Sequence, residues 1–117
     1  MAGLTTHILD LTHGTPASNV TIELYFYGDH AWQLLASAVT NLDGRLSEPL
    51  LSKEDTKIGT YELIFHIGDY FRSTALELPE LPFLDKVPVR FSISNVTSHY
   101  HVPLLVSPWG YQVYRGS

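Results

Sequence analysis

In Val20-Thr21-Ile22-Glu23-Leu24-Tyr25-Phe26-Tyr27, apolar side chains fall at every second place. Val20, Ile22, Leu24 and Phe26 share one side, and Thr21, Glu23, Tyr25 and Tyr27 share the other. That period belongs to a strand with one buried face. Gly28-Asp29-His30 reads as a turn. The chain then returns over 31–40, with Trp32, Leu34, Ala36 and Ala38 expected on one side. Asn41-Leu42-Asp43-Gly44 is a strong turn signal that delivers Arg45. Residues 46–55, with Pro49 inside, read as loop, and 60–67 as another strand rich in Tyr, Ile and Phe.

One short helix is expected over 68–76, with Asp69 as its cap, followed by a loop marked by Pro79, Pro82 and Pro88. Val87, Val89, Phe91 and Ile93 alternate, as do Tyr100, Val102, Leu104 and Val106, with a turn over 95–98 between them. Residues 111–114 form a last short strand. Seven or eight short strands separated by turns indicate a mostly β protein of the sandwich type.

The 117 residues suffice for one domain with a modest core, and no linker or repeat divides them. With 44% apolar and 16% charged residues the chain is globular. Twelve acidic residues against seven basic ones give a net charge of −5 and no basic patch, which excludes a nucleic-acid binder. No run of like charge suggests a membrane surface, and the apolar runs are too short to span a bilayer. There is no cysteine, hence no disulfide scaffold and no thiolate nucleophile. Met1-Ala2-Gly3-Leu4-Thr5-Thr6-His7 lacks the basic and apolar regions of a signal peptide, so a soluble cytoplasmic protein is expected. Asn95-Val96-Thr97 matches a glycosylation sequon but reads as a turn.

Six histidines carry the chemistry to be sorted. His30 lies in a turn, His13 in a loop before Gly14, and His66 in an apolar strand where a hydrogen-bonded role is expected. His99 and His101, two apart on a strand, share a face. The pair has three readings: incidental polarity, a zinc site with His7 as third ligand, or a general base near neutral pH. Neutral imidazoles bind zinc readily, so purified protein is expected to take it up adventitiously. Arg45 offers a planar fork of donors for an anion or carbonyl, or is simply solvated. There is no glycine-rich phosphate loop, no nucleophile elbow and no carboxylate pair near the histidines apart from Asp10.

The final residues, Tyr114-Arg115-Gly116-Ser117, follow the dense apolar and aromatic run 102–111. Alone they read as a polar strand end. They stand beside Leu4-Thr5-Thr6-His7-Ile8-Leu9-Asp10, Arg45 after Asp43-Gly44, and His99-Tyr100-His101-Val102-Pro103-Leu104-Leu105. In that combination the chain resembles the 5-hydroxyisourate hydrolase family, the transthyretin-like enzymes of purine catabolism. The resemblance extends through Gly68-Asp69-Tyr70-Phe71 and Ser107-Pro108-Trp109-Gly110-Tyr111. Transthyretin itself, the hormone carrier, is similar in fold but lacks the tail and the histidine set.

The resemblance implies a transthyretin-like β-sandwich of two four-stranded sheets with one short helix, as a single domain over 1–117. It implies a homotetramer, two dimers back to back, with active sites in the central channel at the dimer–dimer interface. The family's catalytic set falls on His7, Arg45, His101 and Ser117. Substrate binding falls on His7, Arg45, Tyr114 and Ser117. The reaction implied is hydrolytic opening of the six-membered ring of 5-hydroxyisourate, giving 2-oxo-4-hydroxy-4-carboxy-5-ureidoimidazoline. No cofactor and no metal is expected to take part. His101 is assigned as general base and His7 as the group that positions water or substrate, with the exchange of these roles an open alternative. Arg45 offsets developing negative charge. Ser117 orients the base or the water, since no base–orienter pair marks it as a nucleophile.

Overall fold

The computed structural model describes residues 3–116. Eight strands and one helix follow in chain order: β1 (Gly3–Asp10), β2 (Thr15–Pro16), β3 (Thr21–Gly28), β4 (Ala31–Val39), β5 (Gly59–His66), α1 (Ile67–Arg72), β6 (Lys86–Ile93), β7 (His99–Ser107) and β8 (Gly110–Val113). They form two four-stranded sheets, ordered β2-β1-β7-β8 and β4-β3-β5-β6. The expected sandwich with one short helix is what the chain builds. Among the described residues no helix is long and apolar enough to cross a membrane.

The second sheet follows local rules. Ile22 and Leu24 of β3, and Tyr61, Leu63 and Phe65 of β5, are buried at alternate positions. Asp29 and His30 both take positive φ, 52° and 63°, in the two-residue turn joining β3 to β4. That geometry matches the twist of the paired strands. The expected single face for Trp32, Leu34, Ala36 and Ala38 is corrected by a bulge. Leu24 pairs with Ala36 but Tyr25 pairs with Leu34, so Leu35 is an extra residue. Ala36 and Ala38 face the core, while Trp32 and Leu34 are turned out beside Tyr27 and Tyr25, 37% and 51% exposed.

The helix is shorter than the expected 68–76, and Asp69 does not cap it. His66 holds the N-cap position with no side-chain cap bond, and Asp69 sits in the first turn, paired with Arg72 at 2.6 Å. Hydroxyls end the helix: Ser73 and Thr74 donate to the carbonyls of Tyr70 and Phe71, competing with continued helical bonding. His66 donates Nε2–H to Glu23 Oε1 at 2.8 Å, the hydrogen-bonded strand role expected of it.

The first sheet depends on a pairing between distant residues. β1 runs parallel to β7 in the register Gly3↔His99, Thr5↔His101, His7↔Pro103. Leu4 and Ile8 are buried against the core together with Val102 and Leu104. Thr5 and His7 therefore point to the outer face, as do His99 and His101. Hydrophobic patterning leaves 3–10 unassigned, yet this segment is the inner strand that holds the candidate site.

Candidate active site

β1 is the spine of the site. β7 lies along one edge, and the other edge is shared by β2 and the segment after β4. Leu4 exchanges backbone bonds with Leu50 and Leu51, and Arg45 forms an isolated antiparallel bridge with His7. Gly44 makes that approach possible. Its φ is +71°, its carbonyl accepts from Ile8 N at 2.9 Å, and a Cβ there would overlap the Ile8 carbonyl oxygen. The side chain of Asn41 holds the turn by accepting from Asp43 N at 2.9 Å and Arg45 N at 3.2 Å. The tight turn read from sequence thus delivers Arg45 to the same outer face as His7.

A cavity of about 250 Å³ opens on this face, lined by Thr5, Thr6, Arg45, Leu46, Glu48, His99 and His101. His7 borders Arg45 in the backbone pairing and faces the same side. Its Nε2 lies 2.9 Å from the Asp43 carbonyl. A carbonyl oxygen only accepts, so Nε2 carries a proton and neutral His7 keeps its lone pair on Nδ1. His101 is held at the other nitrogen: Nδ1 lies 2.8 Å from Thr5 Oγ1, which is also 3.0 Å from His99 Nε2. The His99 and His101 rings run nearly parallel, 15° apart with centroids 6.4 Å apart.

Electrostatics favour the neutral forms of His101 and His7. Burial, the Arg45 guanidinium and the nearby His99 and His7 rings push His101 below its ordinary value of 6.5, against a smaller opposing effect of the Thr5 backbone. Burial and Arg45 likewise lower His7, against the raising effect of its bond to Asp43. An uncharged imidazole beside a fixed guanidinium can take a proton from water while the guanidinium attracts the negative charge that forms.

The tail closes over the same strand. Gly116 N donates to the His101 carbonyl at 2.7 Å, and His101 and Gly116 form an antiparallel bridge. Arg115 Nη2 donates to the His99 carbonyl at 3.4 Å, with its guanidinium 4.1 Å from the centre of the Tyr100 ring. Ser117 lies outside the described residues. Tyr114 is 51% exposed and contributes to a different cavity, beside Tyr100, Val113 and Arg115, rather than to the His101 pocket. Among the described residues no three His, Asp or Glu side chains cluster closely enough to hold a metal ion, so His7, His99 and His101 form no such set.

A family profile described as HIUase/Transthyretin matches residues 4–116. The chain belongs to the HIUase/Transthyretin family. A Pseudomonas aeruginosa protein named 5-hydroxyisourate hydrolase is 49% identical over 117 residues, covering 100% of this chain and 93% of that one. A crystal structure of (S)-allantoin synthase superimposes with a TM-score of 0.93 at 43% identity. It covers 99% of this chain, which spans only 44% of that longer one. Sea bream transthyretin in complex with thyroxine superimposes with a TM-score of 0.87 at 26% identity, over 98% of this chain and 95% of that one.

For this member of the HIUase/Transthyretin family, the structure brings His7, Arg45 and His101 to one face and leaves Tyr114 beside a neighbouring cavity. Sequence reasoning missed Thr5 and Glu48. Thr5 had a usable signal, since it is two residues before His7 and so shares its face. Glu48 had none, because it lies in a loop whose path is set by bonds to β1.

Proposed function

We propose that this protein hydrolyses 5-hydroxyisourate to 2-oxo-4-hydroxy-4-carboxy-5-ureidoimidazoline, without metal or cofactor. The observation that carries this reading is the convergence of His7, Arg45 and His101 on one outer face of the first sheet. The name of the Pseudomonas aeruginosa relative supports the choice of substrate.

In the reaction, Nε2 of His101 takes a proton from water as the water oxygen attacks a ring carbonyl. A positioned base of this kind is typically worth about 100- to 10,000-fold in rate. Arg45 binds the carbonyl oxygen and offsets the charge that gathers there as the tetrahedral intermediate forms. Collapse breaks the ring C–N bond, and the proton held by His101 returns to the leaving nitrogen. His7, with its Nε2–H given to Asp43, positions water or substrate through Nδ1. Ser117 is assigned to orient water or base, while Tyr114 lines the neighbouring cavity rather than the His101 pocket.

The same reading takes 1–117 as one catalytic domain in a cytoplasmic homotetramer, with sites in a channel where two dimers meet. The incompletely covered outer face of the first sheet supports this, because a second copy would enclose the pocket and exclude bulk solvent. The likeness to a thyroxine-bound transthyretin supports one competing reading, a carrier that binds a small aromatic ligand in such a channel.

The test follows the ultraviolet absorbance of freshly generated 5-hydroxyisourate with and without protein, before and after exhaustive chelation. Decay faster than the spontaneous rate, unchanged by chelation, is expected. Ligand binding without turnover would favour the carrier. Activity lost on chelation and restored by zinc would replace the histidine base with a zinc-bound hydroxide.

A further inference from the structure

Thr5 stands in none of the roles assigned above, yet its hydroxyl touches two rings at once. Oγ1 lies 2.8 Å from His101 Nδ1 and 3.0 Å from His99 Nε2. A hydroxyl has one proton and two lone pairs, so it accepts from both rings or passes a bond from one to the other. The far nitrogen of His99 fixes the His99 end of this bridge, and the assignment of His101 as base fixes the other. Among the described residues Nδ1 of His99 is buried without a hydrogen-bond partner. A buried N–H with no acceptor is rarer and costlier than a buried lone pair with no donor. The proton of neutral His99 therefore sits on Nε2 and is donated to Thr5.

We propose that Thr5 is the positioning residue that sets the tautomer of His101. Resting on the assignment of His101 as base, Nδ1–H of His101 donates to the second lone pair of Thr5, and Nε2 is left as the open lone pair. The parallel arrangement of the two rings fits a shared oxygen acceptor between them. The register Thr5↔His101 across the parallel strands puts the hydroxyl in place without a flexible linker. The Thr5 proton is then free to point into the cavity that Thr5 lines. Without the hydroxyl, His101 would relax toward the Nε2–H form that imidazoles favour in water, and the base would be lost.

The experiment combines two variants with a spectroscopic readout. Thr5→Val keeps the β-branched shape that the strand wants and removes the hydroxyl. Thr5→Ser keeps the hydroxyl. Histidine-selective 15N spectra at neutral pH are expected to show His101 protonated at Nδ1 in the wild type and in Thr5→Ser, and at Nε2 in Thr5→Val. The signals are assigned with His99→Gln and His101→Ala. Turnover of 5-hydroxyisourate is expected to fall on the order of a hundredfold in kcat for Thr5→Val, with KM little changed, and only a few-fold for Thr5→Ser. Finding His101 protonated at Nε2 in the wild type overturns the proposal whatever the activity. The same tautomer in all three proteins overturns it too. The spectra do not depend on the substrate, so a protein inactive on 5-hydroxyisourate that shows the predicted tautomers would refute the proposed function and leave the role of Thr5 standing.

Discussion

Gly116 rests against the ring of His101. Its amide donates to the His101 carbonyl at 2.7 Å, and a Cβ on it would stand 2.8 Å from Cδ2 of that ring. The ring cannot simply swing away, because Nδ1 is tied to Thr5 and Pro103 lies on the same side, 3.4 Å from that Cβ. The penultimate residue of the chain thus sets the position of the assigned base.

Gly116→Ala should lower kcat by about a hundredfold while the protein melts within a few degrees of wild type. Misplacing a reacting group by about 1 Å costs on that scale, and among the described residues the tail adds no side chain to the buried core. Steady-state kinetics beside a thermal melt will check this. Removal of 115–117 should have a similar or larger effect on kcat, and unchanged turnover would remove the tail from the site.

The turn at Gly44 gives a prediction about stability as well as activity. A non-glycine residue in left-handed conformation costs about 1–2 kcal/mol. At Gly44 a Cβ also meets the Ile8 carbonyl, whereas at Gly14, with a nearly equal φ of +69°, it meets nothing within 4 Å. Gly14→Ala should therefore lower Tm by roughly 4–8 °C for each kcal/mol. Gly44→Ala should fall further and should also raise KM, because Arg45 follows directly. Equal melting temperatures for the two variants would show that the contact with β1 adds nothing.

The pH profile reports on Arg45. With His101 as the proposed base its active form is neutral, so kcat/KM should rise with pH and level off, with its acid limb below the ordinary histidine value of 6.5. A nearby positive charge disfavours the imidazolium and lowers the pKa. Arg45→Met removes that charge, so the acid limb should move to higher pH. The same variant should lose kcat and gain KM, because the oxygen-binding donors go too. An acid limb that moves to lower pH would contradict the assignment.

Asp10 makes a separate, structural prediction. Its buried carboxylate accepts from Thr12 N and His13 N, at 2.9 and 3.1 Å, and from His13 Nδ1 and Tyr70 Oη, at 2.6 and 2.7 Å. Burial acts to raise its pKa, but the bonds from Tyr70 and His13 outweigh it and hold the group below 3.8. For a carboxyl depressed on folding, the stability it contributes is fully present above the unfolded value. It is lost as pH falls below 3.8 through the folded value. Asp10→Asn should cost about 2 kcal/mol at pH 7. Urea unfolding at pH 7 and at pH 3 should show that cost shrinking in acid, and a cost independent of pH would mean that the charge is not what the site holds.

The second sheet was largely legible because its rules are local. Alternation gives β3 and β6 their faces, composition marks β5, and the turn at 28–30 pairs β3 with β4. The bulge at Leu35 escaped because a one-residue insertion leaves composition untouched while reversing every side chain beyond it. The helix was over-extended because Ser73 and Thr74 read as tolerable in a helix until their hydroxyls are seen on its last carbonyls. His7, Arg45 and His101 could be named from their resemblance to a family, but not placed by periodicity. A parallel register between segments at opposite ends of the chain has no turn to announce it. Spacing from His7 gives the face of Thr5, but not what it touches, which is 94 and 96 residues away.

That long-range pairing also bears on how the protein is made. On the ribosome β1 emerges first, and its neighbour β7 is synthesised almost last. Until then the β3–β4 hairpin and β5 can assemble from near neighbours, while β1 waits with an open edge and the apolar Leu4 and Ile8 uncovered. Such an edge is a template for unwanted association between nascent chains. The catalytic groups and the completed sandwich would therefore arise in one late event, so that any chain able to turn over substrate has already passed its hazardous stage.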